Sequence, residues 1–213
     1  MERFADRREA GRRLGAKLRH EQIADPLVLA LPRGGVPVGY EVALMLDSPL
    51  DLLLVRKVGV PGQPELAMGA VGEGPVIIEN DEVIAAAGVS NSTFLAIAES
   101  ELAQLAENSA RYRRLAPRHD PRGRVCVIVD DGLATGSTAI AAIEVLRRKD
   151  AAEVWVAVPV APRDTVRLIS RLTDRTVVLY QPFNFVAVGL WYQNFDQTAD
   201  DEVRTLLADA GLR

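Results

Sequence analysis

The sequence predicts an α/β protein with a mainly parallel sheet flanked by helices. Two observations support this prediction. First, apolar runs of strand length recur along the chain, at residues 27–31, 50–55, 125–129, 153–160 and 176–180. Near-continuous apolar runs are typical of parallel strands that are buried on both faces. Second, helical patterns separate most of these runs, and alternation of strand and helix indicates a parallel α/β sheet.

Composition limits the class of protein. A chain of 213 residues is expected to form one large domain, and no internal repeat is visible. A net charge of −4 argues against general nucleic-acid binding, which needs a basic surface. The one cysteine, Cys126, lies within an apolar run, so neither a disulfide framework nor a catalytic thiol is expected. No apolar leader or membrane-length segment is seen, so a cytoplasmic location without a membrane partner is expected.

The chain begins with an arginine-rich amphipathic helix, predicted over residues 5–21. Its modest apolar face is formed by Ala10, Leu14, Ala16 and Leu18. His20 near its end and His119 later in the chain have no cluster of metal-type ligands near them in the sequence. A zinc site is therefore not expected, and both histidines are predicted to lie on the surface.

The first apolar run is followed by the loop Pro32-Arg33-Gly34-Gly35 and then by a helix over residues 38–46. An arginine beside two glycines can place its guanidinium group over exposed backbone, which suits a diphosphate group. A turn with a surface arginine fits the same residues, and for this loop alone it is the favoured interpretation.

The next apolar run ends in Arg56 and Lys57, which are followed by a stretch rich in glycine and proline. Open α/β sheets bind ligands at the carboxyl ends of their strands, so two cations there favour an anion site. A solvated charge pair is an equally good interpretation. Residues 65–71 and 76–79 predict two more short strands.

Residues 80–115 predict an inserted helical arm. A short helix capped by Asn80 or Asp81 is followed by a long helix to about Leu115, with apolar residues at helical spacing. Packing or dimerisation is expected of this arm rather than catalysis.

The most informative stretch follows the central apolar run. Asp130 and Asp131 precede a loop of small residues, 132–138, and a helix over residues 139–148. Free backbone N–H groups and the positive helix end make such a loop an anion-binding site. The two carboxylates can bind sugar hydroxyls or a hydrated magnesium ion. Because they repel a bare phosphate, the expected ligand is a sugar phosphate.

Residues 127–138, Val-Ile-Val-Asp-Asp-Gly-Leu-Ala-Thr-Gly-Ser-Thr, resemble the phosphoribosyl-diphosphate signature of type I phosphoribosyltransferases. The resemblance extends from about residue 26 to 195. Residues 31–35 are similar to the diphosphate loop of the family, and residues 54–57 to the strand that leads to its mobile catalytic loop. The chain resembles a bacterial subgroup with no assigned acceptor. The implied organisation is a single domain, residues 1–213, with a core (about 26–79 and 122–181), the arm (80–115) and a hood (182–213 with 1–21).

This resemblance implies magnesium-dependent transfer of 5-phosphoribose from phosphoribosyl diphosphate to a nitrogenous, nucleobase-like acceptor, with release of diphosphate. Asp130 and Asp131 would hold the ribose hydroxyls and, through water, a magnesium ion. The 5-phosphate would be held by Ala134, Thr135, Gly136, Ser137 and Thr138.

The resemblance also implies how the diphosphate is held. Arg33 and Gly34 would face it, at a point where the family often has a strained peptide bond. Arg56 and Lys57 would neutralise it as it leaves. A module that keeps this pocket only to sense the ligand is the alternative hypothesis, and the intact cations favour the enzyme.

One departure bears on the acceptor. The oxopurine enzymes of the family carry an aspartate beside the base, where this chain has Ala134, so an oxopurine acceptor loses support. Phe185 and Trp191, in an aromatic segment over residues 184–195, could form the acceptor pocket. Packing of the C-terminal helix onto the sheet is slightly favoured for these aromatics.

Overall fold

The computed structural model describes residues 3–74, 76–113 and 118–211. Its strands, in chain order, are β1 (Pro26–Ala30), β2 (Leu50–Leu52), β3 (Val55–Val60), β4 (Gln63–Gly72), β5 (Val76–Glu79), β6 (Val125–Val129), β7 (Glu153–Val160) and β8 (Arg175–Tyr180). Its helices are α1 (Arg7–Arg19), α2 (Gly35–Leu46), α3 (Asp81–Ala86), α4 (Asn91–Tyr112), α5 (Ser137–Arg148), α6 (Arg163–Ser170) and α7 (Asp200–Gly211), with a 3-10 turn at Val188–Trp191. No helix in the described ranges combines the length and the apolar character needed to cross a membrane.

The main sheet has five strands in the order β2-β1-β6-β7-β8. All of its strand pairs are parallel, and Val127 of the central strand lies opposite Val28 on one side and Trp155 on the other. The fold class predicted from the sequence is therefore confirmed.

Both faces of this sheet are covered, which explains why its strands read as continuous apolar runs. Val28 and Val127 belong to one hydrophobic cluster, which also contains residues of α1, α2, α4 and α7. Leu27 and Cys126 belong to a second cluster, on the α5 and α6 side. Successive strand residues point to opposite faces, so every position in a doubly covered strand is apolar. Burial raises the pKa of the Cys126 thiol to about 11, as suits a core residue.

A second, antiparallel sheet of β3, β4 and β5 lies beside the main one. The apolar run at residues 50–55 is therefore not one strand: β2 ends at Leu52, and Val55 begins β3 in the other sheet. The sequence gives no sign of this break, because both ends of the run are apolar and packed: Leu50 is buried, and Val55 packs against the second hydrophobic cluster. We call the β3–β4 hairpin, residues 55–72, the flap.

Helix α1 packs against α2 through glycines, which the sequence analysis did not include in its apolar face. Ala16 is exposed, whereas Gly11 and Gly15 are buried. A Cβ atom at Gly11 would lie 2.7 Å from the backbone oxygen of Val38, and one at Gly15 would lie 2.8 Å from the Cβ of Met45. The prediction that Ala16 belongs to the buried face of α1 is therefore wrong. The buried face contains Gly11 and Gly15, where the two helix backbones lie too close together for a side chain.

We expect Gly11→Ala to destabilise the protein by about 1–2 kcal/mol, because the backbone oxygen it would meet cannot easily move. Without that contact, the change would stabilise a helix by about 1 kcal/mol. Gly211→Ala is the matched control, since no atom of the described part of the chain lies within 4 Å of its added Cβ. Urea denaturation measures both. An unchanged or higher stability for Gly11→Ala would show that the α1–α2 contact is loose.

The arm packs against the flap of its own chain. Asn80 caps α3 by accepting from the Val83 N–H at 3.2 Å, as the sequence suggested. Helix α4 buries Phe94, Ala98 and Leu105 on the side that faces β3 and β4. The predicted helix end at Leu115 lies outside the described residues.

The N-terminal segment joins the aromatic segment at the edge of the main sheet. The Phe4 N–H donates to the Trp191 carbonyl at 2.9 Å, and the Gln193 N–H donates to the Phe4 carbonyl at 2.7 Å. This pairing carries the first turn of α1 to the loops that follow β1 and β6, where the candidate site lies.

Candidate functional site

The loops after β1 and β6 touch each other directly. The Leu31 N–H donates to the Val129 carbonyl at 2.9 Å, so the two strands end side by side. A Cβ at Gly34 would collide with the Asp131 Oδ2, and one at Gly35 would lie 2.6 Å from the Val129 carbonyl oxygen. The two glycines are thus needed where the loop presses against the acidic pair. The unusual peptide bond in this loop is the cis bond Pro32–Arg33, one residue before the place named in the sequence analysis.

The acidic pair is stabilised by hydrogen bonds. The Asp131 N–H donates to the Asp130 Oδ1 at 2.8 Å, and the Arg7 Nε donates to the Asp131 Oδ2 at 2.8 Å. Arg7 and Asp131 are both largely shielded, with side chains 11% and 14% exposed. Sequence reasoning missed Arg7 because it is one of many arginines in a helix with an exposed charged face.

Burial disfavours the negative charges of Asp130 and Asp131, so a positively charged partner would stabilise the pair. Desolvation and the negative charge of Asp131 raise the pKa of Asp130 well above its usual range. Desolvation also raises the pKa of Asp131, although Arg7 opposes that shift. Oxygen donors of this kind fit a magnesium ion. The described residues hold no group of three or more such ligands, so waters and ligand oxygens would complete its shell.

The loop after the acids forms a concave turn at the start of α5. Gly136 has φ +81°, a left-handed conformation that favours glycine. The Thr135 and Ser137 hydroxyls lie 3.0 Å apart, and the Thr165 hydroxyl donates to the Ala134 carbonyl at 2.6 Å. Ala134, Thr135 and Thr138 are exposed. These exposed groups at a helix start are compatible with a phosphate site, and that role of residues 134–138 stays a prediction.

A cavity of about 400 Å³ lies beside these loops. It is lined by residues of the loop after β1, the β2–β3 connection, the flap, α4, the first turn of α5 and α7: Leu31, Pro32, Arg33, Leu53, Leu54, Val55, Arg56, Leu105, Asn108, Arg111, Tyr112, Thr138 and Asp200. The fold thus brings Arg33, Arg56 and Thr138, from three distant parts of the sequence, around one space.

The two cations that follow the apolar run at residues 50–55, Arg56 and Lys57, lie in different surroundings. Arg56 lines the cavity and forms an ion pair with Glu101 of α4. Lys57 bonds instead to Glu65 across the flap hairpin, at 2.8 Å, and is not part of the cavity wall. Both are half-buried. The structure therefore brings Arg56 to the site, and the role of Lys57 stays a prediction.

The aromatic segment contacts the acids through residues other than those predicted. Trp191 stacks on Tyr180, with ring centroids 6.3 Å apart, and neither it nor Phe185 lines the cavity. The Tyr192 hydroxyl instead donates to the Asp131 carbonyl at 2.5 Å. Trp191 thus has a packing role, and an acceptor role for Phe185 and Trp191 stays a prediction.

Three more residues of the cavity wall carry no signal in the sequence. Tyr112 is buried and donates from its hydroxyl to the Asp200 Oδ1 at 2.8 Å. Arg33 lies 3.4 Å from the same oxygen, and Arg111 lines the cavity beside them. Arg111 and Asp200 look like ordinary helix surface charges in the sequence, because only the packing of α4 on β3 and β4, and of α7 on α2 and β2, brings them here.

Comparison with known proteins identifies the class. The family model of the phosphoribosyl transferase domain matches residues 5–190. The chain therefore belongs to the phosphoribosyltransferase family, which confirms the resemblance drawn from the signature at residues 127–138.

Individual relatives agree. The chain is 46% identical over 207 residues to the Mycobacterium tuberculosis protein Rv0571c, which is named a phosphoribosyl transferase on a provisional basis. That match covers 97% of this chain and 47% of the relative, so the chain spans about half the length of its curated relatives. The chain is also similar to TT1426 from Thermus thermophilus, whose crystal structure superposes with a TM-score of 0.92 at 40% sequence identity. The match covers 97% of this chain and 98% of that one.

Proposed function

We propose that this domain transfers 5-phosphoribose from phosphoribosyl diphosphate to a nitrogenous acceptor. The observation that supports it most is the contact of the loop at residues 32–35 with the acidic pair, beside a cavity that Arg33, Arg56 and Thr138 share. Strand-end loops at this edge of a parallel sheet are the usual position of a ligand site.

In this proposal each part of the site binds one part of the donor. The turn at residues 134–138 binds the 5-phosphate through backbone N–H groups and hydroxyls. Asp130 and Asp131 accept hydrogen bonds from the ribose hydroxyls and hold a hydrated magnesium ion. That ion would supply positive charge to the departing diphosphate. Arg33 and Arg56 contact the diphosphate directly, as guanidinium groups suit its paired oxygens.

The chemistry requires charge stabilisation more than bond-making by the protein. The bond between ribose C1 and the diphosphate oxygen breaks, and its electron pair leaves with the diphosphate. The acceptor nitrogen gives its own electron pair to C1, and a proton that it carries passes to the departing diphosphate or to water. Arg33 and Arg56 stabilise the charge that develops on the leaving group. The exposed flap tip, residues 61–66, can close over the site and exclude water.

A phosphoribosyl-diphosphate sensor is the second candidate. It is favoured by the ion pairs that engage Arg56 and Lys57 with Glu101 and Glu65. An enzyme needs these cations for the leaving group, whereas a sensor can keep them paired.

A diphosphate-release assay separates the two functions. The protein is incubated with magnesium, phosphoribosyl diphosphate and, in turn, purines, pyrimidines and pyridine carboxylates. We expect release that depends on one acceptor class and that falls at least about tenfold in Arg56→Gln, which loses one charge-assisted contact. Arg167→Gln, an exposed α6 variant, is the control. Calorimetric binding of phosphoribosyl diphosphate without release for any acceptor would favour the sensor, and no binding at all would refute both.

A further inference from the structure

The cavity wall carries a third guanidinium group, from Arg111 in the last turn of α4. Among the described lining residues, Arg33, Arg56 and Arg111 are cations and Asp200 is the one carboxylate, while Glu101 pairs with Arg56 from outside the lining. An excess of positive charge in a concave site attracts a polyanion and raises its local concentration. The wall therefore suits a diphosphate group better than a neutral ligand.

Arg111 is held on a fixed part of α4. Its neighbour Tyr112 is buried and bonded to Asp200. Arg113, two residues further along the chain, donates from its Nε to the Glu73 Oε1 at 2.9 Å. A binding group whose backbone is anchored in this way loses little freedom when it contacts a ligand.

Asp200 sits where an anion would lie against these cations. Its Oδ1 is 3.4 Å from the Arg33 Nη1 and accepts the Tyr112 hydroxyl. The Tyr112 hydrogen bond, followed by the charges of Arg33 and Arg111, lowers the pKa of Asp200, so the carboxylate is ionised at neutral pH. The side chain is 37% exposed, at the first residue of α7, so it has room to move away.

We propose that Arg111 is a diphosphate-binding residue and that Asp200 is the internal counter-ion that diphosphate displaces from Arg33. This inference rests on the proposed function. The arm would then complete the site, in addition to the packing or dimerisation that its sequence predicts.

Calorimetric titration of the whole chain with inorganic diphosphate and magnesium tests the two residues in opposite directions. Arg111→Gln should weaken binding about tenfold, as expected for one charge-assisted hydrogen bond. It should also make the affinity less sensitive to salt. Asp200→Asn should tighten binding about threefold, the size of one exposed ion pair. Asp201→Asn is the matched control, because that neighbour is 92% exposed and pairs only with Arg204 among the described residues.

The outcomes separate this inference from the proposed function. Absence of diphosphate and phosphoribosyl-diphosphate binding to the unmodified chain would defeat the proposed function. Normal binding by the chain, with unchanged affinity in Arg111→Gln, would overturn only the assignment of Arg111. Weaker binding in Asp200→Asn would show that Asp200 supports the ligand rather than competing with it. Circular dichroism and urea denaturation of each variant check that the fold is kept.

Discussion

Replacing Asp130 and Asp131 together with asparagine should reduce the affinity for phosphoribosyl diphosphate by at least about a hundredfold. Each carboxylate accepts hydrogen bonds that a charged group makes worth about 1.5–3 kcal/mol, and each 1.4 kcal/mol is about tenfold in affinity. The two asparagines would also be unable to hold magnesium as the aspartates do, since an amide carries no negative charge. Calorimetry with and without magnesium measures the loss, and the magnesium dependence of binding should disappear with it.

Stability provides the check that this variant is folded. Burial raises the pKa of both carboxyl groups, so neutral asparagines remove a desolvation cost. This gain opposes the cost of leaving the largely buried Arg7 without its carboxylate partner, so the free energy of unfolding should fall by less than the loss of that ion pair alone would cause. Asp164→Asn, at an α6 position that is 94% exposed, is the matched control for binding. Undiminished affinity in the folded double variant would mean that the ligand site lies elsewhere.

Arg113→Met should cost about 3–5 kcal/mol of stability, the usual range for breaking a buried ion pair from one side. Arg113 is 14% exposed, and it joins Asp51 of β2 to Glu73 next to β4, whose side chains are 3% and 7% exposed. Without Arg113, Glu73 keeps a contact with Arg118 at 2.8 Å, but Asp51 loses its ion pair. The end of α4 would lose its tie to both sheets.

The pKa of Glu73 predicts how the stability loss in Arg113→Met depends on pH. Burial by itself would raise the pKa of Glu73, but hydrogen bonds from Arg113 and Ser109 outweigh it and lower the pKa below the usual 4.5. A lowered carboxyl pKa adds stability above that usual value and loses it as the pH falls through the folded-state pKa. The gap in stability between the native chain and Arg113→Met should therefore be widest near pH 7 and narrow below pH 4.5.

Urea denaturation across this pH range measures both effects. Arg122→Met is the control, because its partner Asp150 is 3.7 Å away and both side chains are more than 70% exposed. That change should alter stability by less than about 1 kcal/mol. A comparable small effect for Arg113→Met, or a gap that does not change with pH, would show that the network does not tie α4 to the sheets.

Much of the fold was readable from the sequence because parallel strands buried on both faces leave continuous apolar runs. The five strands of the main sheet follow from those runs, and the signature at residues 127–138 leads to the family. The division of residues 50–55 between two sheets was not readable, because apolar residues pack equally well in either. The glycines of α1 were overlooked because apolar periodicity counts side chains, whereas Gly11 and Gly15 are buried by backbone contact.

Neighbouring residues of the chain specify the local chemistry: two carboxylates at a strand end, a small-residue turn at a helix start, and an arginine beside two glycines. Each depends on a few consecutive residues, and such patterns survive in any fold that keeps the strand and the helix. The tertiary structure alone decided which charges meet there. Arg7, Arg111 and Asp200 come from helices with exposed charged faces, where one arginine or aspartate looks like another. Only the packing of these helices, α1 on α2 and the β7–β8 side, α4 on β3 and β4, and α7 on α2 and β2, selects the members that reach the site.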